Sequence, residues 1–100
     1  MKRIFISQPM VDKTDKEILD VREEAIEEAK KLAGDDDVEI IDSFMQGAPH
    51  EAKPLWFLGK SLQMLSTADY AYFADGWENY RGCSMEHNAA REYGIKIIHD

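Results

Sequence analysis

The spacing of apolar residues changes repeatedly along this chain, and each change marks an element. Ile4-Phe5-Ile6 is an unbroken apolar run ending at Ser7-Gln8-Pro9. Such a run suits a strand buried on both faces, so it is expected as the first and central strand of a parallel sheet. Over residues 14–33 the period becomes helical. Ile18, Val21, Ala25, Ala29 and Leu32 fall on one stripe, widened by Leu19, Ile26 and Ala33. Thr14 and Glu17 stand at capping-box spacing, and Gly34 follows as a stop. Glu23, Glu24, Glu27, Glu28, Lys30 and Lys31 form the opposite face, which reads as solvated.

A turn at 35–37 leads to a second strand over 38–42. The three aspartates of that turn lack the spaced oxygen ligands and distal Glu of a calcium loop. Residues 43–53 read as an irregular loop with Gly47, Pro49 and His50, and Pro54 suits the first turn of a helix. Leu55, Leu58, Leu62 and Leu65 give that helix its expected buried stripe, beside Trp56, Phe57 and Met64. A third strand follows at 69–74, a loop at 75–81, a helix from about 83 to 93 that stops at Gly94, and a fourth strand at 95–98. Strands alternating with helices imply parallel pairing and right-handed crossovers. The expected fold is α/β: a three-layer open sheet of four parallel strands, Rossmann- or flavodoxin-like, in the order 2-1-3-4, with helices on both faces.

Length limits this to a single domain over residues 1–100, and a hydrophobic content of 44% is ordinary for a folded protein. The net charge of −8 argues against a nucleic-acid binder, which needs clustered Lys and Arg, but leaves room for a small anion held by backbone N–H groups. Cys83 is the only cysteine, so no internal disulfide or cysteine-based zinc site is available. His50 and His99 with Asp100 lack metal-ligand spacing, so neither a metal nor another cofactor is expected. The apolar run at the N-terminus is too short for a signal peptide and no segment is long enough to span a membrane, so a cytoplasmic protein is expected.

In such a sheet, ligands bind beyond the carboxyl ends of the strands, where strand order reverses. Ser7, Gln8 and Pro9 follow the central strand directly. Gly82-Cys83-Ser84 opens a helix whose free N–H groups suit a phosphate or a sugar hydroxyl, although a glycine there can equally serve packing. Glu86, in the first turns of that helix, is expected to stay ionised because the helix N-terminus favours an anion. A fixed carboxylate of this kind is a nucleophile toward an anomeric carbon, or else simply complements the dipole. Asp69 opens the third strand, and ordinary register puts it at the end opposite the crevice. Asp75 and Glu78 are better placed by geometry. Trp77 and Tyr80 share the loop between, where they either stack on a flat base or cover a neighbouring subunit. Cys83 and His87 share a helix face, but no third residue that would orient them as a catalytic pair is evident.

Phe5-Ile6-Ser7-Gln8-Pro9-Met10, Ala68-Asp69, Trp77 and Gly82-Cys83-Ser84-Met85-Glu86 together resemble the nucleoside deoxyribosyltransferase-like superfamily, above all its small, often phage-borne members. The similarity runs over nearly the whole chain and includes a Gly-x-x-x-Glu-x-x-x-Ala pattern at Gly82, Glu86 and Ala90. It implies that Glu86 attacks the deoxyribose anomeric carbon and that Asp69 assists departure of the base, against the register argument. It further implies that Trp77 flanks the base and that Ser7, Gln8, Pro9, Gly82 and Ser84 line the sugar or phosphate. The chain departs from the superfamily in carrying Phe5 for a Tyr, Gln8 for a Gly, and Tyr80 where a polar residue precedes the nucleophile by six places. The expected activity is deoxyribosyl transfer or hydrolysis on a deoxynucleoside or its 5′-monophosphate, the alternative being an inactive nucleotide-binding module. The aromatic residues Trp56, Phe57, Tyr72, Trp77 and Tyr80 add the expectation of a homo-oligomer.

Overall fold

The computed structural model describes residues 1–34, 37–43 and 50–100. Its strands are β1 (Lys2–Ser7), β2 (Val38–Ile40), β3 (Tyr70–Phe73) and β4 (Lys96–His99). The helices are α1 (Asp15–Ala33), α2 (Pro54–Leu65) and α3 (Arg81–Glu92), with a single 3₁₀ turn at Trp77–Asn79. All pairings are parallel and the strand order is β2-β1-β3-β4, as the alternation predicts. The chain leaves β1 toward β2 on one side and β3 pairs on the other, so strand order reverses between β1 and β3. The expected turn at 35–37 and most of the expected loop at 43–53 lie outside the described residues.

Strand β1 earns its central place because Ile4, Phe5 and Ile6 are all fully buried. Ile4 and Ile6 face α1 with Tyr72, Ala74, Ala25 and Ala29. Phe5 faces the other side with Ala71, Phe73, Leu65 of α2 and Ala90 of α3. One helix therefore covers one face of the sheet and two cover the other. The ladder continues past the strand ends, since Asp69 N–H donates to Arg3 O and Ala74 N–H to Ser7 O, both at 2.9 Å. Helix α1 starts and stops where its signals sit. Thr14 and Glu17 form the reciprocal capping box, and Gly34 takes the left-handed conformation at φ 66°.

Two expected stripes are only partly right. On α1, Leu19, Val21 and Leu32 are 46%, 40% and 47% exposed, while Arg22 is buried beside Ile18, Ala25 and Ala29. This helix is alone on its face, so the flanks of its stripe have no neighbouring helix to cover them. On α2, only Leu65 is buried and Leu55 is 74% exposed, because the helix packs chiefly against α3 and meets the sheet core through its C-terminal half. Boundaries also shift. Helix α3 begins at Arg81, about half a turn before the expected start, and β2 ends at Ile40.

These placements separate two otherwise similar truncations. Phe5→Ala is expected to lower the unfolding free energy by about 3–5 kcal/mol, since it removes a fully buried ring. Leu19→Ala is expected to cost at most about 1 kcal/mol. Urea unfolding of both variants checks this ranking, and equal losses would restore Leu19 to the core.

Candidate functional site at the carboxyl end of the central strand

Side chains alternate along β1, so Ser7 follows Phe5 onto the face covered by α2 and α3. Its hydroxyl donates to Glu86 Oε1 at 2.6 Å. Glu86 lies in the second turn of α3, between Cys83 and Ala90 on that helix's buried stripe, and is 7% exposed. Ser61 of α2 also hydrogen-bonds the carboxyl. A carboxyl, two hydroxyls and the Cys83 thiol thus meet where β1, α2 and α3 converge.

Burial pushes the Glu86 carboxyl above its ordinary value, and the bonds from Ser7 and Ser61 pull part of the way back. Burial therefore outweighs the pull toward the anion that was expected from the helix N-terminus. The dipole acts within the first turn, and Glu86 sits beyond it with little water around it. Cys83 is pushed up to about 11, chiefly by burial, with contact to Ser7 opposing and the Glu86 charge adding. It is a packed thiol at neutral pH, not a nucleophile. His87 is engaged elsewhere: its Nε2 lies 3.0 Å from Asp100 Oδ2 and its ring stacks on Trp77 at 4.0 Å.

Asp69 and Glu86 are not brought together. Asp69 sits at the amino end of β3, where Oδ2 accepts the Arg3 N–H at 2.8 Å. Strand geometry puts it more than about 10 Å from the carboxyl end where Ser7 meets Glu86. This is the place that ordinary register gives it. Gln8 is buried and donates to Ile18 O at 2.8 Å, fastening the loop after β1 to α1. Its Oε1 is buried without a partner. Trp77 packs on Phe73 and His87, so one ring face is already occupied. Ser84 donates weakly to Glu78 O at 3.4 Å. Among the described residues, nothing lies within 4 Å of the place a Cβ on Gly82 would take, so none of them gives this glycine a packing reason or closes off the start of α3.

At the strand-order reversal lies a cavity of about 250 Å³ lined by Pro9, Lys13, Val21, Asp75, Gly76, Asn79 and Tyr80. Of the expected site residues only Pro9 reaches it, while Asp75 and Tyr80 line it as their loop position suggested. Ser61 and Arg22 were missed by sequence reasoning, and both had a signal: each is a polar residue on an otherwise apolar helical stripe. Arg22 donates to Ser43 Oγ at 3.1 Å and Ile41 O at 2.8 Å, and Ser43 donates to Ile6 O, tying α1 to the ends of β1 and β2. Among the described residues, no group of three or more His, Cys, Asp or Glu could hold a metal ion. No described helix is long and apolar enough to cross a membrane.

The raised Glu86 carboxyl has a consequence for stability. The folded state disfavours its ionised form, so its contribution is fully present below about pH 4.5, the unfolded value, and is lost as pH rises through the folded value. Glu86→Gln removes that titration. Its urea midpoint is expected to gain on wild type as pH rises from about 4.5, with no relative gain below it. A difference that does not change with pH would show that Glu86 titrates alike in both states.

No curated protein and no solved structure matches the chain significantly. The family described as Domain of unknown function (DUF4406) matches residues 2–99, nearly every position of the domain whose strand ends build this site. By that match, the chain belongs to the DUF4406 family.

Proposed function

We propose that this chain is a cytoplasmic enzyme of N-glycosidic bonds, acting on a deoxynucleoside or its 5′-monophosphate through Glu86. The observation that carries the reading is the buried carboxyl held 2.6 Å from Ser7 at the carboxyl end of the central strand. The resemblance to nucleoside deoxyribosyltransferase-like proteins supplies the substrate class. In the step envisaged, a Glu86 oxygen bonds to the anomeric carbon. The carbon–nitrogen bond breaks, and its electron pair leaves with the base, which takes up a proton. The sugar remains as an ester on Glu86 until a second base or water displaces it. Shielding from water favours transfer, and an open site favours hydrolysis. Ser7 and Ser61 counter the effect of burial by stabilising the ionised carboxylate that the attack requires. The open approach over Gly82 leaves room for a sugar or phosphate oxygen near the first N–H groups of α3. The reading includes a homo-oligomer.

A second reading, a nucleotide-binding module without turnover, is favoured by one observation. The polar groups described against Glu86 are two hydroxyls and a thiol, with Asp69 at the far end of its strand, so the departing base has no evident acid.

Chromatography of free base released from deoxynucleosides and their 5′-monophosphates separates the two. Release is expected from wild type and is expected to fall at least about 10³-fold in Glu86→Gln. Dependence on an added acceptor base distinguishes transfer from hydrolysis. No release from any member by folded protein overturns the enzyme. A rise in melting temperature with the same ligands would then support the binding module.

A further inference from the structure

Two tight turns hold the walls of the cavity at the strand-order reversal. After β3, Trp77 N–H donates to Ala74 O at 3.2 Å with Gly76 at φ 87°, the left-handed conformation that a type II turn requires there. The 3₁₀ turn continues the constraint, since Asn79 N–H donates to Gly76 O and Tyr80 N–H to Trp77 O. Asp75, Asn79 and Tyr80 line the cavity from this loop. After β1, Lys13 N–H donates to Met10 O at 3.2 Å, and Asp12 before it is left-handed at φ 62°, a conformation in which Asp is enriched. Gln8 fastens the same loop to Ile18 O. Lys13 and Pro9 line the cavity from that side.

The cavity fits part of a ligand. Its volume of about 250 Å³ lies below the roughly 300–1,000 Å³ that encloses a whole small molecule, and a single flat ring system suits it. Tyr80 is half-buried and stacks on none of the described rings, whereas Trp77 already stacks on His87. The phenol is therefore the free platform for a base. Glu86 is close by. Pro9 follows Ser7, which bonds Glu86, by two residues, at most about 7 Å of chain. Tyr80 precedes Glu86 by six residues, about 9 Å of helix. A base held in the cavity thus has its sugar within reach of the carboxyl.

Charge selects the base. Of the lining residues, Lys13 is the one cation and Asp75 the one anion. His99 Nε2 lies 3.8 Å from Asp75 Oδ1, beyond hydrogen-bond distance, so both carboxylate oxygens stay able to accept. A carboxylate accepts only, and its two oxygens match two adjacent N–H donors. Among the common bases guanine alone offers such a pair, at N1 and the 2-amino group, next to O6 and N7 acceptors that suit an ammonium. Adenine, cytosine and thymine each offer one donor beside an acceptor on that edge, and the acceptor's lone pair would face the carboxylate. We propose that this cavity is a base subsite selective for guanine, with Tyr80 stacking on the ring, Asp75 accepting from N1–H and the 2-amino group, and Lys13 donating to O6. The subsite rests on the proposed nucleoside chemistry and adds to it which base is taken.

Calorimetric titration with the 5′-monophosphates of deoxyguanosine, deoxyinosine, deoxyadenosine and thymidine, up to about 5 mM, reads the subsite without turnover when run on Glu86→Gln beside wild type. The deoxyguanosine compound is expected to bind at least about tenfold more tightly than the other three, of which the deoxyinosine compound lacks only the 2-amino group. Asp75→Asn, at an almost fully exposed side chain, should fold, as circular dichroism would verify. It is expected to bring the guanine-to-hypoxanthine affinity ratio close to one. Tyr80→Leu is expected to weaken all four about tenfold and to keep that ratio. Equal affinity for the four, binding of none, or an unchanged ratio in Asp75→Asn overturns the subsite. Base release by wild type without guanine preference also overturns it and leaves the glycosidic enzyme standing. Guanine-selective binding without release from any member does the reverse.

Discussion

Burial of β1 on both faces is the constraint from which the rest follows. Ile4, Phe5 and Ile6 have almost no exposure, so strands must pair on either side and helices must cover both faces. With β2 on one side and β3 on the other, the chain has to reverse its order beside β1. The crevice opens there. The last residue of that strand is Ser7, and alternation alone decides that its hydroxyl turns toward α3, where Glu86 is waiting. Truncating Phe5 would therefore disturb the wall behind the candidate site as well as the core.

Buried polar groups in this fold are concentrated at the carboxyl end of the sheet. Glu86, Arg22, Gln8, Ser7 and Ser43 are all nearly inaccessible, in a domain whose remaining core is apolar. Each carries a desolvation cost that hydrogen bonding only partly offsets. Arg22 and Ser43 satisfy strand-end carbonyls, and so have a structural task. Glu86 satisfies no backbone group among the described bonds. Its carboxyl is raised by burial and held by two serines, a combination that stability alone does not require. This is why Glu86, and not the exposed Asp69, carries the functional reading.

Acidic charge is distributed as unevenly as the buried polar groups. Helix α1 is heavily acidic outside its stripe, whereas α2 has none of this charge and keeps much of its apolar surface in water. The same helix that supplies Ser61 to the candidate site thus carries an apolar, acid-free outer face. Any change in how α2 sits would reach Glu86 through that serine.

Much of this architecture was legible in the sequence because it rests on local periodicity and capping. The Ile4–Ile6 run, the Thr14–Glu17 box, Gly34 and Pro54 each act within a few residues, and the structure places them as those signals imply. Ser7, Glu86 and Gly82 were also marked out by their order along the chain, and the structure brings Ser7 and Glu86 together. What the sequence left open depends on groups far apart in the chain. Burial of Arg22 and exposure of Leu19 and Leu55 follow from how many helices share each face of the sheet, which no local pattern states. The upward shift of the Glu86 carboxyl comes from the combined burial of β1, α2 and α3 around it. Ser61 joined the site, and Asp69 was excluded from it, for the same reason. Local spacing sets the phase of an element, but only packing sets which end of which strand meets which turn of which helix.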